Sequence, residues 1–332
     1  MPRRPAVRQL LRGLLVAAVL GLLTVVLLRN GAALRRSAQE LSPVALGLAL
    51  LAVLAGLGCG MLAWRTVLAD LGSPVPLPAA MRIFFLGQLG KYVPGSVWPI
   101  VAQMELGREY GVPRTRSGVV GLVAVALSLV AGLLVAAVTL PFLSAHALAA
   151  YWPAFLAVPV LGVGLLPVVL NPVLDRLLRL ARRGGLERPL SGRGVLTALG
   201  WSGGTWACFG LQVWLLLRDL GPARASLLPL AVGAFALAWT VGFLVVVAPA
   251  GAGVREVVLV LALAPGASRA AALLVALTSR ALMTLGDLVW AGAVVLRSRR
   301  GRSARDAAGT GAGDGAEPGA GDGVQPRPAA TG

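Results

Sequence analysis

The sequence predicts an all-α integral membrane protein, and three observations support this fold class. Hydrophobic residues make up 57% of the chain, its mean hydropathy is +0.82, and only 13% of its residues are charged. A soluble domain needs more polar residues than this to cover its surface. Several apolar stretches also reach the ~20 residues that a helix needs to cross the hydrocarbon core of a bilayer.

About six of these stretches are predicted to be full membrane spans. The first resembles a secretory signal, but Arg29 follows it directly and no convincing cleavage site of small residues is present, so we expect it to be retained. Together the spans define residues 1–297 as one polytopic membrane domain. They are Leu10 to Leu28, Val44 to Trp64, Ser117 to Leu140, Pro153 to Leu174, Val195 to Leu217 and Arg269 to Leu296.

Two further apolar segments are interrupted by proline and glycine. Pro78 to Arg108 is broken at Pro94-Gly95, and Ser226 to Ala264 is broken between Pro249 and Gly253. Backbone that is not helical is tolerated at membrane depth only where protein or a water-filled cavity surrounds it. Each segment is therefore predicted to be a re-entrant helical hairpin whose break lines a cavity.

The distribution of arginine predicts a plasma-membrane protein with cytoplasmic N- and C-termini. The net charge of +17 would suggest nucleic acid in a soluble protein, but here most arginines fall on one side of the six spans, and no nucleic-acid partner is expected. The alternative has seven to eight full spans, with Leu227 to Ala248 crossing completely and the basic tail outside. Residues 298–332, rich in Gly, Ala, Asp and Pro, are predicted to be a disordered cytoplasmic tail.

The order of these segments predicts an inverted repeat. One copy runs from Val44 to Leu140 and the other from Val195 to Leu296, with Pro153 to Leu174 joining them. Each copy contains a span, a broken hairpin and a second span. Opposed repeats with discontinuous helices are typical of secondary transporters, whose substrate site lies where the repeats meet. Transport is therefore the leading functional hypothesis.

Charge beside the two breaks predicts an anion site. A helix that begins after Gly95 or Gly253 presents unpaired N–H groups and the positive end of its dipole. Lys91, the only lysine of the chain, and Arg255 add positive charge nearby. A charge at membrane depth costs ~3 kcal/mol or more, so it is usually functional. The alternatives are that Lys91 snorkels to the interface and that Arg255 neutralises an acid, Glu256 or Asp287.

The remaining charges suggest a specific ion pair. Arg280 and Asp287 lie seven residues apart on one face of the last span, a rise of about 10.5 Å. We expect Glu256 to pair with Arg280 and to hold the second hairpin against this span. Lys91 and Arg255 would then be available for a phosphate.

Two motifs carry a resemblance to a known family. Phe85 to Trp98, and Pro249 to Glu256 followed by Ser279-Arg280, resemble the lysylphosphatidylglycerol synthase transmembrane family of flippase-like membrane proteins over most of residues 10 to 297. The chain resembles the stand-alone membrane part, without the synthase domain. In bifunctional members the membrane part translocates an aminoacylated phospholipid. The resemblance implies lipid translocation and a substrate site at the matching positions, to which the charge argument adds Arg280 and Asp287. The matching positions are Lys91, Tyr92, Pro94, Gly95, Arg255 and Glu256.

No constellation of catalytic or metal-binding residues is predicted. His146 is the sole histidine and has no acid or cysteine near it in sequence, while Cys59 and Cys208 lie within spans as small buried residues. We therefore expect neither an enzyme nor a cofactor. A polyprenyl-phosphate transferase would need clustered acids, which the sequence lacks.

Membrane lipids are the expected partners. The second hypothesis is a non-transporting membrane subunit that recruits a separate cytoplasmic lipid-modifying enzyme through the basic loop from Arg176 to Arg193. The same loop would also bind the anionic inner leaflet. No oligomeric state is predicted.

Overall fold

A computed structural model describes residues 39–93, 97–139, 159–160, 162–180, 186–221, 227–244 and 253–311, with side chains up to residue 298. The regular elements in these residues are helical. Short 3-10 helices follow α2 and α3, at Leu89–Tyr92 and Arg108–Tyr110. In chain order the α-helices are α1 (Pro43–Asp70), α2 (Leu77–Gln88), α3 (Trp98–Gly107), α4 (Arg114–Thr139), α5 (Pro167–Leu180), α6 (Gly192–Asp219), α7 (Leu227–Leu244), α8 (Val254–Leu263) and α9 (Arg269–Gly311).

Four of the described helices are long and apolar enough to cross a membrane: α1, α4, α7 and residues 269–298 of α9. Three of them contain predicted spans, as expected for an α-helical multi-pass membrane protein. The span predicted at Val195 to Leu217 is also helical, within the 28 residues of α6, although its small and polar residues make it less apolar than those four. Leu10 to Leu28 lies outside the described residues.

The span predicted at Pro153 to Leu174 is wrong as one continuous helix. In the part that the structure describes, a turn at Leu165-Leu166 separates a short helical stretch from α5, which begins at Pro167 and continues to Leu180. Glycine is a poor helix former, and proline favours the first turn of a helix, so Gly162, Gly164 and Pro167 place a helix start inside the predicted span. The described part of α5 has 14 residues, and residues 181–185 lie outside the described part.

The two broken segments each contain two helices that pack against each other. In the first, α2 and α3 have 12 and 10 residues; in the second, α7 and α8 have 18 and 10. The length and apolar character of α7 also fit the alternative in which Leu227 to Ala248 crosses completely, of which residues 245–248 lie outside the described part. The number of spans stays a prediction.

The order of helices repeats, and α1 and α6 are linked reciprocally at their ends. Ser42 caps α1 and donates its hydroxyl to Asp219 at the end of α6, at 2.9 Å. Ser191 caps α6 and donates its hydroxyl to Asp70 at the end of α1, at 2.7 Å. The two helices are therefore antiparallel and each cap meets the other helix's last residue. This pair supports the predicted inverted repeat, which for the complete halves stays a prediction.

The last helix packs against both halves. It contacts α1 and α2 of the first half and α6 and α8 of the second. On α9, Trp290 stacks on Phe85 of α2, with ring centroids 4.6 Å apart, and donates its indole N–H to the Leu54 carbonyl of α1 at 3.1 Å. Beyond the predicted domain boundary at residue 297, α9 continues helical to Gly311, in a stretch rich in Ala and Arg that contains no proline. Residues 312–332 lie outside the described part.

Candidate functional site

The first break brings Lys91 and Tyr92 to α9. A 3-10 turn follows α2 directly, and the Lys91 ammonium lies 2.6 Å from Oδ2 of Asp287. The Tyr92 hydroxyl donates to the same oxygen at 2.6 Å. The Asp287 side chain is only 2% exposed, whereas that of Lys91 is 27% exposed. A buried carboxylate needs a counter-charge and hydrogen bonds, and this one receives both from the first break.

This pairing bears on two expectations. Lys91 is paired with the buried acid on α9 and is not the unpaired cation that we expected, while its part in substrate binding stays a prediction. Among the described residues, Asp287 pairs with Lys91 and Tyr92 and forms no direct salt bridge with Arg255.

The second break positions Glu256 against α9. Gly253 has a φ of +87°, a conformation that glycine adopts without the steric cost of a side chain, and α8 begins at the next residue. Glu256 accepts the Gly253 N–H with Oε2 at 2.6 Å, and Arg280 donates to its Oε1. The predicted ion pair between Glu256 and Arg280 is therefore confirmed, and the same carboxylate caps α8.

Arg255 contacts an aromatic ring of α7. Its guanidinium carbon lies 4.6 Å from the centre of the Phe235 ring on α7, and its Nη2 is a buried donor without a hydrogen-bond partner among the described residues. Gly242 of α7 permits this approach, since a Cβ added there would lie 3.0 Å from the Arg255 Cβ. The contact with Phe235 is a cation–π interaction, which satisfies no N–H group and leaves Nη2 without a hydrogen-bond acceptor among the described residues.

A cavity of about 240 Å³ lies between described residues that flank the two breaks, among them Val93 and Arg255. Its charged wall consists of Lys91, Arg255, Arg280 and Asp287. Aromatic side chains and uncharged polar groups form the remaining walls, and α1, α2, α3, α4, α6 and α7 all contribute. An apolar cavity with a few convergent polar groups is the usual form of a small-ligand site.

The described charges around the cavity leave one positive charge uncompensated. Asp287 offsets Lys91, and Glu256 offsets Arg280. Arg255 has no such counter-ion at its buried Nη2. The arrangement therefore favours a ligand that brings an anionic oxygen to Arg255.

The structure brings together six of the eight predicted site residues: Lys91, Tyr92, Arg255, Glu256, Arg280 and Asp287. Pro94 and Gly95 lie outside the described residues, as does most of the second break. Sequence reasoning missed Gln103, which is buried and lines the cavity. The signal was available, because Gln103 is an uncharged polar residue in the otherwise mostly apolar α3.

Metal-binding side chains form no cluster in the described part of the chain. No group of three or more His, Cys, Asp or Glu side chains there could hold a metal ion. Cys59 and Cys208 are free thiols on α1 and α6, and His146 lies outside the described residues.

Comparison with known proteins assigns the family. None of the curated proteins with which the chain was compared matches it. The family model described as the lysylphosphatidylglycerol synthase TM region matches residues 10–291, which include all the described site residues, and indicates a role connected with membrane lipids. Because this match covers most of the sequence, the chain belongs to the lysylphosphatidylglycerol synthase transmembrane family.

Proposed function

We propose that the protein translocates an anionic or phosphate-bearing lipid across the cytoplasmic membrane. The observation that carries the proposal is the buried, unpartnered Nη2 of Arg255 at a cavity between the two broken segments. A phosphate oxygen would satisfy this donor and neutralise the excess charge. Charge-assisted hydrogen bonds of this kind are among the strongest that proteins form.

The two ion pairs have a different role in this proposal. Lys91 with Asp287, and Arg280 with Glu256, hold each break against α9 and add no net charge. The phosphate would bind at Arg255, with the aromatic side chains of the cavity, such as Trp206 and Trp239, facing the apolar parts of the lipid. Cytoplasmic termini, from the arginine distribution, are part of the same proposal.

The exposed arginines of α5 and the start of α6 favour the second candidate function. Arg176, Arg179, Arg188 and Arg193 are exposed. This basic surface would attract an acidic cytoplasmic enzyme, in which case the protein would recruit that enzyme and transport nothing. The same surface would equally hold the anionic leaflet, so the transport assay decides between the two functions.

The test is reconstitution into liposomes that contain fluorescent lipids with anionic, zwitterionic or cationic headgroups. We expect transport of an anionic lipid, and a loss of about 10- to 100-fold in Arg255→Ala, the effect of removing one hydrogen bond to a charged group. Lys91→Ala should also lower transport, because it leaves Asp287 without its counter-charge. Arg269→Ala is the matched control, since Arg269 is exposed at the start of α9.

Two results would contradict the proposal. If Arg255→Ala transports lipid as well as wild type does, the guanidinium is not part of the substrate site. If the folded protein moves no lipid of any class, the translocator is wrong, and co-purification of a cytoplasmic enzyme would then support the recruiting subunit.

A further inference from the structure

We infer that this cavity accepts a small lipid headgroup with one net negative charge, namely a phosphodiester whose second substituent is a neutral, hydroxyl-bearing group. The inference rests on the proposed function, because it names the substrate class of the same site. Three features of the cavity carry it: its charge balance, its unpartnered donors and its volume.

The charge balance matches a monoanion. Two carboxylates offset two of the three cations, and only Arg255 remains without a counter-ion at its buried end. A phosphodiester carries one negative charge and would bring the cavity to neutrality. A phosphomonoester carries about 1.5 to 2 negative charges near neutral pH, so part of its charge would be unpaired in a site of low dielectric.

Two residues that line the cavity have a buried donor without a hydrogen-bond partner. They are Arg255, at Nη2, and Trp64, at its indole N–H. Neither group accepts a hydrogen bond, so a ligand group that reaches them supplies acceptor oxygens. The phosphate of a phospholipid has such oxygens, whereas an ammonium in the headgroup adds positive charge to a cavity that already has an excess of it.

The carboxylates near the cavity are already engaged. Asp287 forms a salt bridge with Lys91 and accepts the Tyr92 hydroxyl. Glu256 forms a salt bridge with Arg280 and accepts the Gly253 N–H. A ligand ammonium would have to displace one of these partners. The site therefore discriminates against aminoacylated and zwitterionic headgroups through like-charge repulsion as well as through missing partners.

The volume restricts the headgroup further. At about 240 Å³ the cavity is smaller than the ~300–1,000 Å³ of pockets that hold drug-sized ligands, which favours a small headgroup over an oligosaccharide. Buried, uncharged polar residues line it, and the amide of Gln103 and the hydroxyls of Ser202 and Thr205 both donate and accept hydrogen bonds. Such groups suit the hydroxyls of a small polyol.

The experiment measures binding by the full-length protein in detergent, with short-chain lipids that differ only in the headgroup. The probes are dioctanoyl phosphatidylglycerol, the lysyl ester of the same lipid, dioctanoyl phosphatidylcholine and dioctanoyl phosphatidic acid. We expect the first to bind at least about tenfold more tightly than the other three, the effect of one charged hydrogen bond made or lost. Free glycerol phosphate, added as a competitor, distinguishes a headgroup site from general adsorption of lipid.

Variants test whether the preference arises in this cavity. Arg255→Gln should abolish it, and Arg269→Gln, at an exposed position, should retain it. Trp64→Phe removes one donor while keeping an aromatic ring, and it serves as the second test if Arg255→Gln fails to fold. We expect it to weaken binding of phosphatidylglycerol more than binding of phosphatidylcholine.

The outcomes separate this inference from the proposed function. Equal binding of all four lipids, or tighter binding of the lysyl ester, overturns the inference even if transport is observed. Preferential binding of phosphatidylglycerol without transport of any lipid supports the inference and refutes the translocator. A preference that persists in both Arg255→Gln and Trp64→Phe places the selectivity elsewhere and overturns the inference.

Discussion

Exchanging the charges of Glu256 and Arg280 tests how the second break is attached to α9. The two side chains are 13% and 14% exposed, so the ion pair is largely removed from water. Reversing either residue alone leaves two like charges in contact, beside Arg255. Breaking one side of a buried pair costs about 3–5 kcal/mol, and we expect each single reversal to lower the free energy of unfolding by about that amount.

The double exchange should recover most of this loss but not all of it. Glu256→Arg with Arg280→Glu restores opposite charges, but an arginine at position 256 cannot accept the Gly253 N–H that Glu256 now accepts at 2.6 Å. Loss of such an N-terminal cap costs about 1 kcal/mol. The double variant should therefore remain about 1 kcal/mol less stable than wild type.

The assay is unfolding of the purified protein in mixed detergent micelles, followed in parallel with lipid transport. The exposed pair between Glu105 and Arg114, with side chains 40% and 48% exposed, provides the control, and its reversal should cost at most about 1 kcal/mol. If the double variant is no more stable than the less stable single variant, the ion pair between Glu256 and Arg280 does not stabilise the protein. Full recovery to wild-type stability would refute the role of Glu256 as a cap.

Three further predictions follow from other contacts. Asp287→Asn removes the acid that holds an ammonium in the cavity, so binding of phosphatidic acid should strengthen relative to phosphatidylglycerol by about tenfold; an unchanged ratio in the same binding assay would contradict the charge balance. Gly242→Leu should displace the arginine of α8 and weaken phosphatidylglycerol binding by about tenfold, whereas Gly47→Leu, in open space, should not. Asp175 accepts the Leu186 N–H and lies beside an arginine of α5, and both contacts lower its pKa below the ordinary value of about 3.9. The contact with Leu186 is therefore fully formed above about pH 3.9 and is lost as the pH falls through the lowered pKa. At pH 6, amide hydrogen exchange at Leu186 should therefore be faster in Asp175→Asn than in wild type, and this difference should vanish in strong acid.

The sequence predicted the helices well because apolar length is a local property. The prediction at Pro153 to Leu174 failed because the hydropathy there is high while Gly162, Gly164 and Pro167 set a helix start. Glu256 with Arg280 could be predicted because few intramembrane charges were available to pair. Hydropathy alone does not state where a helix begins or ends.

The pairing of Lys91 with Asp287 could not be derived in the same way. It depends on how α2 and its 3-10 turn pack against α9, which no pattern within either segment specifies. One signal of the repeat was present and overlooked. Asp-Leu-Gly occurs at residues 70–72 and again at 219–221, and in each case the capping serine of the same helix lies at the opposite end, at Ser42 or Ser191.

The ion pair between the first break and α9 has a consequence for biosynthesis. Tyr92 and its acceptor are 195 residues apart, and Asp287 belongs to α9, which is synthesised after the other described helices. At a synthesis rate of about 5–20 residues per second, roughly 10–40 s pass between the synthesis of Lys91 and that of its counter-ion. During that interval the unpaired ammonium disfavours insertion of its segment by about 3 kcal/mol. The first broken segment therefore obtains its counter-charge only after α9 has been synthesised, and a chain truncated before α9 would leave the ammonium of Lys91 unpaired in the membrane.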